Sequence, residues 1–268
     1  MRIAIVQLAY DDDEPMDRRV ERVAAMIGDL AGHDLVVLPE LWGAGGFAYR
    51  GWEERAQPVD GPIAQSMAKA ARDAGVLLHA GSIVERSDHP GAEGKYLWNT
   101  SLVFAPDGTL VAAYRKIHRF GFGQGEPRLM DAGLDVVVVD LETRSGERFR
   151  AGLSTCYDLR FPELYRRQVD AGAEVFLVPS AWPAARVVNW SLFTRARAVE
   201  DQCVLVGANT AGTHAGTEMG GQSCLVLPTG ELLALAGESE QVLSVDVDLG
   251  VVAATREAFP VLKDRRLH

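Results

Sequence analysis

Three residues at the ends of strand-like runs could together carry out acyl transfer: a carboxylate at Glu40, an amine at Lys116 and a thiol at Cys156. Glu40 follows Val36-Val37-Leu38-Pro39, Lys116 follows the run Leu110 to Tyr114, and Cys156 follows Phe149 to Leu153. In an open α/β sheet, sites gather beyond the ends of strands. A thiol nucleophile needs a base, and a carboxylate raised in pKa by burial can serve. A tetrahedral intermediate needs a cation or N–H donors for its oxygen, and a buried ammonium supplies one.

Each residue also has an ordinary reading. Cys156 could be a small buried hydrophobe. Pro39-Glu40 could open a helix whose dipole favours the carboxylate. Lys116 lies among Arg115, His118 and Arg119, and such charge runs usually face water. Around Cys156 the local pattern favours reactivity. Phe161-Pro162-Glu163 predicts a helix with Pro162 at its first position, and helix N–H groups near the sulfur would favour a thiolate.

The elements that must position these residues alternate along the chain. Ile3 to Leu8 reads as a strand. Met16, Val20, Val23, Ile27 and Leu30 recur at helical spacing. Asp34 to Leu38 is a short strand, Ile63 to Ala74 a helix stopped by Gly75, and Val76 to Val84 a strand. Asn99 to Ala105 and Leu110 to Tyr114 flank Pro106-Asp107-Gly108 as a hairpin. The second half repeats the rhythm, with strands at Val136 to Val139 and Phe149 to Leu153 around a polar turn. A helix at Glu163 to Ala171, a strand at Val175 to Val178, a helix marked by Leu192, Ala196 and Val199, and a strand at Val204 to Ala208 follow. Ser223 to Leu227, Glu231 to Ala234 and Val242 to Val247 are expected to be the last strands. This predicts an α/β fold, one domain over residues 1–268, with strands buried on both faces and helices outside.

Composition removes several function classes. The chain has 268 residues, 47% hydrophobic and 24% charged, which suits a globular protein with a large core. A net charge of -10 without a basic stripe argues against nucleic acid as a partner. The six histidines have no metal-ligand spacing, and no HExxH, Walker A or GxGxxG motif occurs. Three cysteines without framework spacing suggest a reducing compartment, and the cytoplasm is the expected location. The N-terminus runs directly into a strand, and no apolar stretch approaches a bilayer span, so no membrane association is expected.

Taken together, the three segments resemble those of the carbon–nitrogen hydrolase (nitrilase) superfamily over nearly the whole chain. Arg2-Ile3-Ala4-Ile5-Val6-Gln7 is similar to its first strand. Leu38-Pro39-Glu40-Leu41-Trp42, Tyr114-Arg115-Lys116-Ile117-His118-Arg119-Phe120 and Cys156-Tyr157-Asp158-Leu159-Arg160-Phe161-Pro162-Glu163 are similar to its glutamate, lysine and cysteine segments, in that order. The resemblance implies a four-layer α-β-β-α sandwich, a homodimer or higher homo-oligomer, and a triad of Glu40, Lys116 and Cys156 needing no cofactor and no metal. It also implies a second glutamate, matched by Glu126, and an oxyanion donor at the backbone N–H of Tyr157. Asp158 and Arg160 are expected to fix the turn by pairing with each other or with neighbours. Cys203 and Cys224 are expected in the core, and His118 in a structural role. Trp190 fits either the pocket or the packing of the following helix.

Ala181-Trp182-Pro183-Ala184-Ala185-Arg186 and Glu257-Ala258-Phe259-Pro260 resemble the ω-amidase-like branch. That branch implies small amide substrates, namely ω-amides of small dicarboxylic acids such as 2-oxoglutaramate. Trp182 would then wall off the acyl group and Arg186 would clamp a carboxylate. Arg186 could equally be a surface arginine at a helix start. The alternative activity is that of a general aliphatic amidase, with N-carbamoyl amino-acid hydrolysis and nitrilase activity behind it.

Overall fold

Period-two alternation decides the layering. Successive strand residues point to opposite faces, and here both faces are apolar. The structure is a computed structural model describing residues 1–267. Among these, one sheet contains β1 (Arg2–Gln7), β2 (Leu35–Val37), β3 (Leu77–Arg86), β4 (Leu97–Phe104) and β5 (Leu110–Arg115). The other contains β6 (Val138–Glu142), β7 (Arg148–Leu153), β8 (Val175–Pro179), β9 (Val204–Ala208), β12 (Cys224–Val226) and β13 (Leu232–Leu235). A small ribbon of β10 (Thr213–His214) and β11 (Thr217–Glu218) lies outside both. The chain then returns as β14 (Gln241–Asp246) to pair antiparallel with β1, so the first sheet runs β14-β1-β2-β3-β4-β5 and the second β13-β12-β9-β8-β7-β6.

Ile3 and Ile5 of β1, Val37 of β2, Leu153 of β7 and Leu177 of β8 meet in the core between the sheets. The alternate residues Ala4, Val6, Val36 and Leu78 face outward, against α1 (Met16–Gly28) and α3 (Pro62–Ala74). Phe176, Val178 and Leu205 do the same against α5 (Pro162–Asp170) and α6 (Val187–Asp201). This is the expected four-layer α-β-β-α sandwich. Parallel pairing of β1 with β2 and β2 with β3, and of β7 with β8 and β8 with β9, requires crossovers, which the helices supply.

Helix ends follow the sequence signals. Pro62 and Pro162 occupy first positions, and Gly75 closes α3 at φ 67°, its N–H bonding to Ala71 and Arg72 carbonyls. Some elements differ from expectation. The strand placed at Val136 to Val139 lies at Val138–Glu142, because its pairing with β7 is set by the turn at Thr143 to Glu147. The short helices α2 (Trp52–Arg55) and α4 (Glu126–Leu129) have too few residues to show a period. The C-terminal helix α7 (Gly250–Ala258) buries Val252 at the end of the inter-sheet core.

The edge of this frame nearest the chemistry is a bulge in β3. Pairing with β4 breaks between His79 and Ser82, and Gly81 adopts φ 67° there. From this bulge Ser82 Oγ accepts a bond from Leu41 N (3.0 Å) and the Ala80 carbonyl accepts one from Trp42 Nε1 (2.9 Å). Both donors lie just after Glu40. A Cβ at Gly81 would stand 1.9 Å from the Pro39 carbonyl oxygen. Gly81→Ala is therefore expected to lose about 2–4 kcal/mol in chemical denaturation, from backbone strain plus overpacking. Activity should fall with it as the Pro39-Glu40 segment is pushed aside.

Candidate active site

Two of the three strand-end residues sit at or beside strained backbone. Cys156 has φ 48° and Leu41, following Glu40, has φ 45°. Such conformations cost about 1–3 kcal/mol each and persist only where the surroundings over-determine them. At Cys156 the determinant is Asp158, which is fully buried. Its carboxylate accepts from Thr155 N (2.8 Å), Tyr114 OH (2.8 Å), His118 N (3.0 Å) and His118 Nδ1 (2.8 Å). The His118 ring stacks on Phe161 with centroids 3.7 Å apart. Asp158 thus ties the end of β5 and the segment after it to the tight turn Cys156–Arg160. Arg160 is not its partner. The guanidinium lies over the Trp182 and Phe193 rings and donates to Asn189 Oδ1 (3.3 Å).

Glu40 and Lys116 are both buried, and neither takes its ordinary reading. Glu40 opens no helix, and Lys116 does not face water. Lys116 Nζ donates to Glu40 Oε1 at 2.7 Å and to Glu126 Oε1 and Oε2 at 3.0 and 2.9 Å. The two Glu126 contacts fall on one carboxylate, so a single bifurcated N–H can serve both and leave another for a substrate oxygen.

Counting acceptor positions separates the two carboxylates. An ionised carboxylate has about four lone-pair positions. Glu126 fills them all, accepting twice from Lys116, once from Asn99 Nδ2 (2.6 Å) and once from Phe120 N (2.5 Å). Glu40 accepts from Lys116, from Asn99 Nδ2 (2.8 Å) and from Ala181 N (2.9 Å). One position on Oε2 of Glu40 remains, and the Cys156 thiol is near enough to feel this carboxylate's charge and lines the same cavity. The arrangement leaves Glu40 able to take a proton from sulfur and Glu126 unable to.

Electrostatics support that division. Burial disfavours the Lys116 ammonium, but the Glu126 and Glu40 charges outweigh it and hold its pKa well above the ordinary value. Burial pushes the Glu126 carboxyl up against the pull of Lys116, while its four donors leave no place for a proton. Burial, followed by the adjacent Glu40 carboxylate, pushes the Cys156 thiol well above its usual range. This corrects the expected thiolate. Helix α5 begins at Pro162 as predicted, but the tight turn separates its N-terminus from the sulfur. The resting sulfur is a thiol beside a buried carboxylate.

A cavity of about 260 Å³ opens onto Glu40, Lys116, Glu126 and Cys156, walled by Phe47 and Phe120. A narrow recess continues from Cys156 to Trp182, Arg160 and Arg186, with Tyr157 at its side. Trp182 and Arg186 are thus beside the sulfur, joined by a bond from Trp182 Nε1 to the Arg186 carbonyl (2.7 Å). Arg186 stacks over Phe120 at 5.3 Å. Trp190 packs behind Trp182, and Cys203 and Cys224 are buried core residues. A larger cavity of about 660 Å³, beyond Gly45 and lined by Asp11 to Glu14, reaches none of the three catalytic candidates.

Sequence reading missed Asn99, the Ala181 N–H and the place of Arg160 in the recess. The one available signal for Asn99 was its place in a polar run, Asn99-Thr100-Ser101, inside a strand flanked by apolar residues. Asp158→Ala would strip a buried acceptor from four donors. It is expected to cost at least about 3 kcal/mol, measured as the shift in denaturation midpoint.

Comparison with known proteins agrees with this geometry. A sequence model described as Carbon-nitrogen hydrolase matches residues 2–257. A "2-oxoglutaramate amidase" of Paenarthrobacter nicotinovorans is 40% identical over 264 residues, covering 98% of this chain and 89% of that protein. The human protein named "Omega-amidase NIT2" is 32% identical, covering 99% of this chain and 95% of that one. Among solved structures, XC1258 from Xanthomonas campestris, described as a CN-hydrolase superfamily protein with an arsenic adduct in its active site, superposes with a TM-score of 0.88. It is 29% identical, covering 100% of this chain and 98% of that one. With the family pattern extending over almost every residue and the buried acid, amine and thiol together in space, this chain belongs to the carbon–nitrogen hydrolase family.

Proposed function

We propose that the protein hydrolyses the ω-amide of a small dicarboxylic acid to the acid and ammonia. The observation that carries the substrate class is the pair of arginines in the recess beside Cys156. Neither Arg160 nor Arg186 has a carboxylate partner among the described residues, although both line a small, aromatic-walled space. Uncompensated guanidinium groups in such a space favour a ligand carboxylate, which Arg can meet in bidentate fashion. The names of the relatives, 2-oxoglutaramate amidase and omega-amidase, agree with a substrate bearing a carboxylate at the end opposite its amide.

In this reading Glu40 takes the thiol proton as Cys156 Sγ attacks the amide carbon. The oxyanion is met by a Lys116 N–H and by the backbone N–H of Tyr157. Glu40 passes the proton to the departing nitrogen, the C–N bond breaks, and ammonia leaves a thioester. Glu40 next takes a proton from water, which attacks the thioester; the acid forms and the thiol is restored. Glu126, saturated with donors, keeps Lys116 charged and in place.

The recess separates this activity from that of a general aliphatic amidase. Cys156→Ala should fold and release no ammonia from any amide. Arg186→Ala should lose about ten- to a hundred-fold in kcat/KM for amides carrying a distal carboxylate, while keeping its rate on neutral amides of the same length. An equal loss on both classes would assign Arg186 to packing.

The same reading takes the protein as a homodimer. Val188, Leu192 and Val199 of α6 expose 78%, 59% and 46% of their surfaces in a single chain. A second copy packing helix to helix would cover this face and place the two sandwiches side by side. Light scattering should then give a dimer mass for the native chain and a monomer mass for Leu192→Glu.

A further inference from the structure

Glu40 and Glu126 share the Lys116 ammonium, and that leaves one excess negative charge in a buried space. Something neutral has to supply further donors without adding charge. Asn99 does so from β4. Its Nδ2 donates to Glu40 Oε1 and to Glu126 Oε1, and its backbone carbonyl accepts from Lys116 N at 2.8 Å. One residue therefore touches both carboxylates and the strand position of the amine. The amide orientation follows from its partners, because turning it over would set Oδ1 against two carboxylates. That choice leaves Oδ1 buried without a partner, a cost accepted for the two donated bonds.

We infer that Asn99 is a positioning residue that holds the Glu40 carboxylate in place, with one acceptor position of Oε2 left open in the cavity shared with Cys156. This rests on the reading of Glu40 as base. An aspartate of the same shape would add a third anion and a lysine would compete with Lys116, whereas an amide offers two N–H groups and no charge. The groups facing the pair are Lys116 from the end of β5, Cys156 from the turn after β7 and the Tyr10 hydroxyl from the segment after β1. Of these, Lys116 alone is cationic. Removing a donor from an ionised carboxylate makes it easier to protonate, so the base should be lost at a higher pH.

The test is the pH profile of kcat for ammonia release, on whichever the native chain turns over faster of an ω-amide of a small dicarboxylic acid and a neutral amide of the same length, in the native chain, Asn99→Ala and Glu40→Gln. Cys156 alkylation by iodoacetamide, read by peptide mass, is the substrate-free control for fold and sulfur access. Glu40→Gln removes a carboxylate that pushes the thiol up, so its sulfur should alkylate at least as fast as the native one near neutrality, while ammonia release falls at least about a hundred-fold. Asn99→Ala should shift the acid limb of kcat to higher pH and lower kcat near neutrality roughly ten- to a hundred-fold, with KM little changed and the sulfur still alkylated. Should Asn99→Ala not fold, Asn99→Gln keeps the amide at a different reach and should show the same limb shift. A native kcat limb in the folded Asn99 variant, with Glu40→Gln inactive, overturns the role of Asn99 alone. Native ammonia release in Glu40→Gln overturns the reading of Glu40 as base and this inference with it.

Discussion

The site depends on one buried ammonium held between two carboxylates. Lys116 lies 2.7 Å from Glu40 and 2.9 Å from Glu126, and all three side chains are almost fully out of water. Removing one partner from such a set leaves an uncompensated buried charge, typically costing about 3–5 kcal/mol. The rest of the structure near the site can be understood as supplying what the lost water would have supplied. Asn99 Nδ2, Ala181 N and Phe120 N fill the acceptor positions that Lys116 leaves open, all but one. The vacancy is on Glu40, whose carboxylate lines the same cavity as the Cys156 thiol.

The fold is arranged to bring those donors together. Glu40 follows β2, Asn99 lies in β4, Lys116 follows β5, and Cys156 and Ala181 follow β7 and β8. The first three come from one sheet and the last two from the other, so the face-to-face packing of the sheets completes the site. Asp158 and the β3 bulge at Gly81 lock the two strained positions from opposite sides of it. The strain at Cys156 and Leu41 is tolerable because each position is gripped by side chains from a neighbouring strand or turn.

In the proposed reading the recess and the ionic cluster divide the work of recognition and chemistry. Aromatic walls at Phe47, Phe120 and Trp182 line the recess, and the low polarity of such walls strengthens charge interactions beside them. In the proposed reading, the two guanidinium groups, which have no carboxylate partner among the described residues, complement an anionic end of the substrate, and the net negative cluster repels that end from the sulfur. A substrate with one carboxylate and one amide would be oriented by both effects in the same sense.

Much of this was legible in the chain. Apolar runs and their spacing determined the strands, the main helices and the layered class, because alternation and helical period are local properties. The order and type of Glu40, Lys116 and Cys156 pointed to the family for the same reason: each is embedded in a short recognisable segment, and Glu126 followed from the resemblance. The tertiary structure decided which partners those groups meet. Glu40 meets Asn99 across 59 residues and Lys116 across 76, and of the two expected kinds of partner for Arg160, Asp158 or other neighbours, the fold supplies the rings of Trp182 and Phe193. Whether the sulfur rests as thiol or thiolate, and which carboxylate has an acceptor position to spare, depend on burial and on donors from distant strands. Local sequence pattern carries neither quantity.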